Sequence, residues 1–200
     1  NRENIDFIIY CTQSADYFLP TTACILQTKL GLSNNCGALD FNLGCSGYVY
    51  GLAICKGLIS AGIAKNILFI TSETYSKYIH PQDRGNISIF GDGASASLIT
   101  NEIGFGEIGD FILGTDGSGF NNLIVKEGAS RFKKNISGEN NRDGYLNMDG
   151  PEVFSFTSKM IPDLVKDVLS KNNLEKCDID LFIFHQANKF ILDFLRKKIQ

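Results

Sequence analysis

The first third of the chain alternates between two hydrophobic periods. Ile5 to Cys11 (IDFIIYC) is a nearly unbroken apolar run, the mark of a strand buried on both faces. Pro20 to Leu30 changes to helical spacing, with Ala23, Leu26 and Leu30 on one side, Pro20 at the start and Gly31 as the stop. Gly37 to Leu43 reads as a second strand. Tyr48, Leu52, Cys55 and Ile59 then form one helical stripe, closed by Ala61 and Gly62. Asn66 to Thr71 is a third apolar run. Strand, helix, strand, helix, strand predicts a parallel sheet with helices on its faces.

The pattern loosens after Thr71. An irregular segment leads to a glycine-rich stretch and a predicted strand at Ser95 to Thr100. From about Asn101 to Asn147 the chain is rich in Gly, Asn, Asp and Ser (GTDGSGFNN, then KKNISGENNRDG), which is loop and hairpin material. The boundary between two halves is placed near Asn101 and Glu102, giving residues 1–101 and 102–200. Within Glu152 to Ser170 the spacing is amphipathic and helical from Ile161 onward, with Pro162 expected to kink or break it. Ile179 to Phe184 (IDLFIF) is predicted as a buried strand. Phe190 to Ile199 is predicted as a helix ending in Arg196, Lys197 and Lys198. Strand, turn and helix with a reactive side chain at the turn thus occurs twice, around Cys45 and around His185, which suggests two related halves.

Composition narrows the function classes. The 200 residues are 44% hydrophobic and 20% charged, an ordinary globular balance. A net charge of -3 argues against nucleic acid as the main partner, since phosphate binding needs clustered positive charge. The apolar runs are strand-sized, well short of the ~20 residues a membrane span requires. Six cysteines occur, at positions 11, 24, 36, 45, 55 and 177 and never in Cys-x-x-Cys pairs, so reduced thiols in a cytoplasmic protein are expected rather than disulfides or zinc. The chain opens on Asn1 rather than Met, with a run-in to a strand, and is expected to be an internal piece of a longer protein.

Cys45 stands in DFNLGCSGYVYGL between Gly44 and a predicted helix. In parallel α/β sheets chemistry collects where strands hand over to helices. A helix N-terminus carries partial positive charge, which stabilises a thiolate, and a thiolate suits capture of an acyl group from a thioester. Taken alone, the stretch also fits a buried structural cysteine. His185 follows IDLFIF directly and precedes a predicted helix, so it is a candidate base or oxyanion donor in a chain with only two histidines. His80, in a loop beside Pro81, is not expected to be catalytic.

Four motifs together resemble the 3-oxoacyl-[acyl-carrier-protein] synthase III family of the thiolase-like superfamily. DFNLGCSGYVYGL resembles its active-site cysteine segment, HPQDRGN with IFGDGASASLI its next signatures, MDGPEVFSFT the helix opening its second half, and FHQANKFI its histidine motif. They occur in the family's order across nearly the whole chain. The resemblance implies a thiolase-like layered αβαβα arrangement of two related halves, truncated here at both ends. Cys45 matches the acylated nucleophile. His185 matches the histidine that helps decarboxylate a malonyl thioester and stabilises the enolate. Arg84 matches a position near the adenine of coenzyme A. Leu19 matches a residue that closes the partner's acyl pocket across a homodimer, where well-known members have phenylalanine. Met148 and Gly150 fall where the substrate tunnel is lined, and Pro151 replaces a common polar residue. Lys189, Arg196, Lys197 and Lys198 fall in the basic patch that docks an acyl carrier protein, with Lys189 displaced by one position from the usual arginine. The same basic residues also fit a helix's last turn complementing its own dipole. The family's third catalytic residue, an asparagine, would lie past Gln200.

The resemblance implies an acyl group moved from acyl-coenzyme A onto Cys45 and condensed with malonyl-[acyl-carrier-protein], with no cofactor beyond these substrates. Three alternatives stay open. One is an acyltransferase delivering to an amine or hydroxyl. Another is a Cys–His thioester hydrolase, and the last a non-catalytic module that binds a carrier protein. Gly104, Gly106 and Gly109 show dinucleotide spacing but no amphipathic helix follows. FGDGASAS is expected to be small-residue-rich for close packing. Asp40, Asp92 and Asp116 are too scattered for a metal site.

Overall fold

The computed structural model describes residues 1–104, 106–133 and 142–199. The elements are β1 (Phe7–Cys11), α1 (Thr22–Lys29), β2 (Gly37–Phe41), α2 (Gly47–Ser60), β3 (Asn66–Thr74), α3 (Arg84–Ile87), β4 (Asp92–Thr100), β5 (Leu123–Ile124), β6 (Asn147–Met148), α4 (Gly150–Lys171) and α5 (Lys189–Ile199). The chain divides into two compact units. The first is Asn1–Thr74 with Asp92–Gly109, the second Tyr75–Gly91 with Asp110–Gln200.

The first unit is a four-stranded sheet in the order β2-β1-β3-β4. β1 runs parallel to both neighbours, with Ile9 opposite Leu39 and Phe69. The unbroken apolar run of β1 is explained by its central place, because alternate side chains enter two separate cores. Ile9 and Cys11 join Cys55, Ala64, Ile67 and Phe69 under α2. Ile8 and Tyr10 join Ala23 and Leu32 under α1. The predicted stripe of α2 is seen: Cys55 is wholly buried and Leu52 and Ile59 pack on its core. Tyr48 is half exposed and stacks on Phe69 with ring centroids 5.5 Å apart.

β4 begins at Asp92 and pairs antiparallel with β3, so the sheet is mixed. The close packing expected at FGDGASAS is absent at Gly91 and Gly93, where an added Cβ would meet nothing within 4 Å. The stretch is an exposed segment entering an edge strand instead.

In the second unit α4 and α5 pack through Val165, Leu169, Leu195 and Ile199. Pro162 does not end α4, which runs unbroken to Lys171. The proline removes its own backbone donor and crowds the carbonyl four residues before it, and the apolar face that continues past it holds the helix in place. The strand expected at Ile179 to Phe184 does not form. Ile179 and Phe184 face the α4–α5 core, whereas Leu181 and Ile183 are 72% and 79% exposed. A strand exists only as a rung of a ladder, and the segment has no hydrogen-bonded strand neighbour among the described residues. Among the described residues of 101–147 most are irregular, and β5 pairs antiparallel with β6 in a short two-stranded ladder; residues 134–141 of KKNISGENNRDG lie outside the described residues. No helix among the described residues is long and apolar enough to cross a membrane.

Candidate active site

Cys45 lies in the turn between β2 and α2, exposed and one residue before Ser46 at the head of the helix. All six cysteines are thiols. The turn is shaped by its glycines. Gly47 sits so close to Cys11 that a Cβ there would overlap Sγ, and a Cβ on Gly44 would come within 2.7 Å of Gln13 Oε1. The Gly47 N–H donates to Gly44 O at 2.8 Å, and the Cys11 thiol donates to Leu43 O at 3.2 Å.

The floor under this turn is the C-terminal end of β1 and β3. The Glu73 carboxylate accepts from Gln13 N and Ser14 Oγ, each at 2.8 Å. Ser14 Oγ in turn accepts from Thr74 N at 2.9 Å. Asp40, the penultimate residue of β2, accepts from Thr22 N at 2.6 Å and Ala23 N at 2.8 Å. It therefore caps α1 from a neighbouring strand. Sequence spacing carries no signal for a cap that reaches across the fold in this way.

The burial of a thiol decides its acidity. The Cys55 thiol is pushed up to about 11 by burial. Burial likewise raises Cys11 and Cys36, with the charge of Glu73 adding to Cys11 and that of Asp6 to Cys36. Cys24, Cys45 and Cys177 are the exposed thiols, and of these only Cys45 stands at the head of a long helix.

Leu19 belongs to the same unit. It is 82% exposed, beside Phe18 at 91%, and is joined to Pro20 by a cis peptide bond.

The second unit holds the other residues singled out from sequence. His185 is exposed, after the extended segment ending at Phe184 and before α5. Asn188 of the same HQAN motif accepts from Ile191 N at 2.9 Å and so caps α5. Lys189 opens α5; Arg196, Lys197 and Lys198 occupy its last turn, all exposed. Arg196 pairs with Asp193 at 3.6 Å, and Lys198 Nζ lies 6.0 Å from the Phe194 ring centroid. Met148, half-buried, ends β6 and pairs with Leu123. Gly150 opens α4 and is exposed, after Asp149, whose side chain accepts from Glu152 N at 3.2 Å.

Arg84 opens α3 and is exposed. Asp83 before it accepts from Asn86 N at 3.1 Å and Asn86 Nδ2 at 2.8 Å. Its carboxyl is held below the usual range chiefly by the Asn86 N–H. His80 Nδ1 accepts from Gln82 N at 3.1 Å, and its ring meets Tyr145 edge-on at 4.9 Å. It is thereby built into the loop that presents Arg84.

Sequence reasoning missed Cys11, Glu73 and the caps. Asp83, Asp149 and Asn188 each precede the amide they cap by three residues, the ordinary N-cap spacing, so a local signal was there to be read.

Known proteins resemble the chain throughout. The family model of 3-oxoacyl-[acyl-carrier-protein] synthase III matches residues 39–117, a span that includes Cys45 and Arg84. A β-ketoacyl-[acyl-carrier-protein] synthase III of Clostridium perfringens is 39% identical over 199 residues, 100% of this chain and 61% of that protein. These matches make the chain similar to the 3-oxoacyl-[acyl-carrier-protein] synthase III family. The crystal structure of a 3-oxoacyl-(acyl-carrier-protein) synthase III superposes with a TM-score of 0.92 at 46% identity, over 99% of this chain and 62% of that one. A 3-oxoacyl-(acyl-carrier protein) synthase of Burkholderia xenovorans gives 0.84 at 40% identity, over 99% and 57%. The fold is accordingly the thiolase-like α/β fold of these enzymes. The chain spans about three fifths of the length of the relatives it matches.

Proposed function

We propose that this chain carries the nucleophile and the histidine of a condensing enzyme, with residues 1–101 in the nucleophile half and 102–200 opening the histidine half. In the first step the Cys45 thiolate attacks the carbonyl of an acyl-coenzyme A. The new thioester forms on Cys45, and coenzyme A leaves as a thiolate that takes up a proton. In the second step a malonyl-[acyl-carrier-protein] loses CO2. The enolate so formed attacks the Cys45 thioester, and Cys45 leaves as a thiolate while the 3-oxoacyl product departs on the carrier.

His185 takes the enolate-stabilising role in this reading. Arg84 lies near the adenine of coenzyme A, Met148 and Gly150 line the substrate path, and Leu19 closes the acyl pocket of a homodimeric partner. Lys189, Arg196, Lys197 and Lys198 dock the acidic carrier protein. No cofactor beyond the substrates takes part, and the setting is the cytoplasm. The observation that carries the reading is the place of Cys45: an exposed thiol in a glycine-bracketed turn at the head of a long helix, where partial positive charge favours the thiolate.

Intact-mass spectrometry after brief incubation with acetyl- and longer acyl-coenzyme A tests it. The expected result is a gain of one acyl group that vanishes in Cys45→Ala, followed by CO2 release and product only when malonyl-carrier is added. Steady free acid without an acceptor would identify a hydrolase instead. Product from an amine or hydroxyl without malonyl-carrier would identify an acyltransferase. Absence of any adduct, with carrier protein still bound, would leave a binding module.

A further inference from the structure

The buried thiol of Cys11 touches both sides of the turn that carries Cys45. Cys11 is the last residue of β1 and 4% exposed. Its Sγ is 3.2 Å from Leu43 O, and Gly47 lies against the same sulfur so closely that any side chain there would overlap it. Leu43 and Gly47 stand two positions either side of Cys45. Burial keeps the Cys11 proton on, so the sulfur remains a donor. The strand end bearing it is anchored through Gln13 and Ser14 to Glu73 at the end of β3.

We propose that Cys11 is a positioning residue for Cys45: one buried S–H holds the Leu43 carbonyl and seats Gly47, fixing the turn at both ends. This rests on the reading of Cys45 as the nucleophile. A thiol hydrogen bond is weak, but this one acts where direction matters. Without it the Leu43 carbonyl loses a buried partner and the turn can rotate, carrying Cys45 off the helix head. Small misplacements of a reacting group are costly in rate.

The test compares Cys11→Ala, which removes the donor, with Cys11→Ser, which keeps one. Peptide-resolved mass spectrometry follows the modification of Cys45 by iodoacetamide and by acyl-coenzyme A, with exposed Cys24 and Cys177 as internal references for iodoacetamide. The alanine variant is expected to slow both reactions at Cys45 about tenfold, a modest share of what misplacement can cost, with Cys24 and Cys177 unchanged. The serine variant is expected to recover to within about threefold of the unsubstituted protein, since its hydroxyl donates to the same carbonyl from a slightly greater distance. Equal loss in both variants would mean that packing alone matters and would overturn the proposal, as would no loss in either. If the alanine variant does not fold, the infrared S–H band answers. The difference between the unsubstituted protein and Cys11→Ser is expected at the lowered frequency of a hydrogen-bonded thiol, and a band at the non-bonded position would overturn the assignment. If acyl-coenzyme A never modifies Cys45 in the unsubstituted protein, the condensing-enzyme reading fails, while the iodoacetamide rates still decide the role of Cys11.

Discussion

Cys55 and Cys45 are the same side chain, ten positions apart, and one is buried while the other is exposed. Cys55 is 0% exposed and its thiol is pushed from 9.0 to about 11 because burial penalises the thiolate. That shift has a sign for stability. Below pH 9 both folded and unfolded chains keep the proton, and the contribution is intact. Between pH 9 and 11 the unfolded chain ionises while the folded one does not, so stability is lost as pH rises. At pH 10 the loss from this residue is on the order of 1 kcal/mol. Denaturant titrations at pH 8 and 10 should show that extra alkaline loss in the unsubstituted protein and not in Cys55→Ala; equal losses would refute it. The sequence placed Cys55 on the apolar stripe of a helix and left Cys45 open between a nucleophile and a buried structural cysteine. What told them apart was position on the helix: Cys55 lies on the apolar stripe, Cys45 before the first turn. Asp83, Asp149 and Asn188 carry the converse lesson. They sit inside the family motifs yet spend their side chains on capping helices, so a motif letter is not by itself a chemical role.

At the scale of elements, the legible parts were those fixed by local period. β1, α1, β2, α2 and β3 all stand close to where hydrophobic spacing put them. What local spacing did not show depended on distant partners. The strand expected at Ser95 to Thr100 is present within β4, but its antiparallel direction is set by β3, and Ile179 to Phe184 has strand composition without a ladder among the described residues. Helix α2 also carries a constraint that spacing could not reveal, namely how closely it approaches the sheet. A Cβ at Gly51 would overlap the Phe69 ring, whereas one at Gly57, in the same helix and exposed, would meet nothing within 4 Å. Glycine costs a helix up to ~1 kcal/mol relative to alanine, so both positions would gain helix propensity from the change. At Gly51 the gain is offset by overpacking, typically 1–3 kcal/mol. Gly57→Ala should therefore raise the unfolding free energy by about 0.5–1 kcal/mol, and Gly51→Ala should lower it, both read from denaturant titrations. A stabilising Gly51→Ala would show that α2 does not lie as close to β3 as this packing requires.

Across the whole molecule, charge is distributed against its own sum. The chain carries a net charge of -3, yet α5 ends in Arg196, Lys197 and Lys198, all exposed. Two physical roles fit this cluster. Cations in a last turn favour the helix dipole by about 0.3–1 kcal/mol each at low salt, and a local positive patch steers an acidic partner. Arg196 is partly engaged by Asp193 at 3.6 Å, so Lys197 and Lys198 are the sharper probes. The two roles separate under charge reversal. If the cluster serves the helix alone, Lys197→Glu with Lys198→Glu lowers thermal stability and leaves carrier-protein association unchanged. If it docks the carrier, association slows by on the order of tenfold at low salt. The difference then shrinks as the screening length contracts from about 10 Å at 0.1 M toward about 3 Å at 1 M. Stopped-flow association of an acidic carrier protein at both ionic strengths measures this. A salt-independent rate, unchanged by the reversal, would remove α5 from the docking surface and leave its basic turn to the helix. The expected outcome is the salt-dependent one, because a dipole needs no exposed run of three cations when its field fades within the last turn.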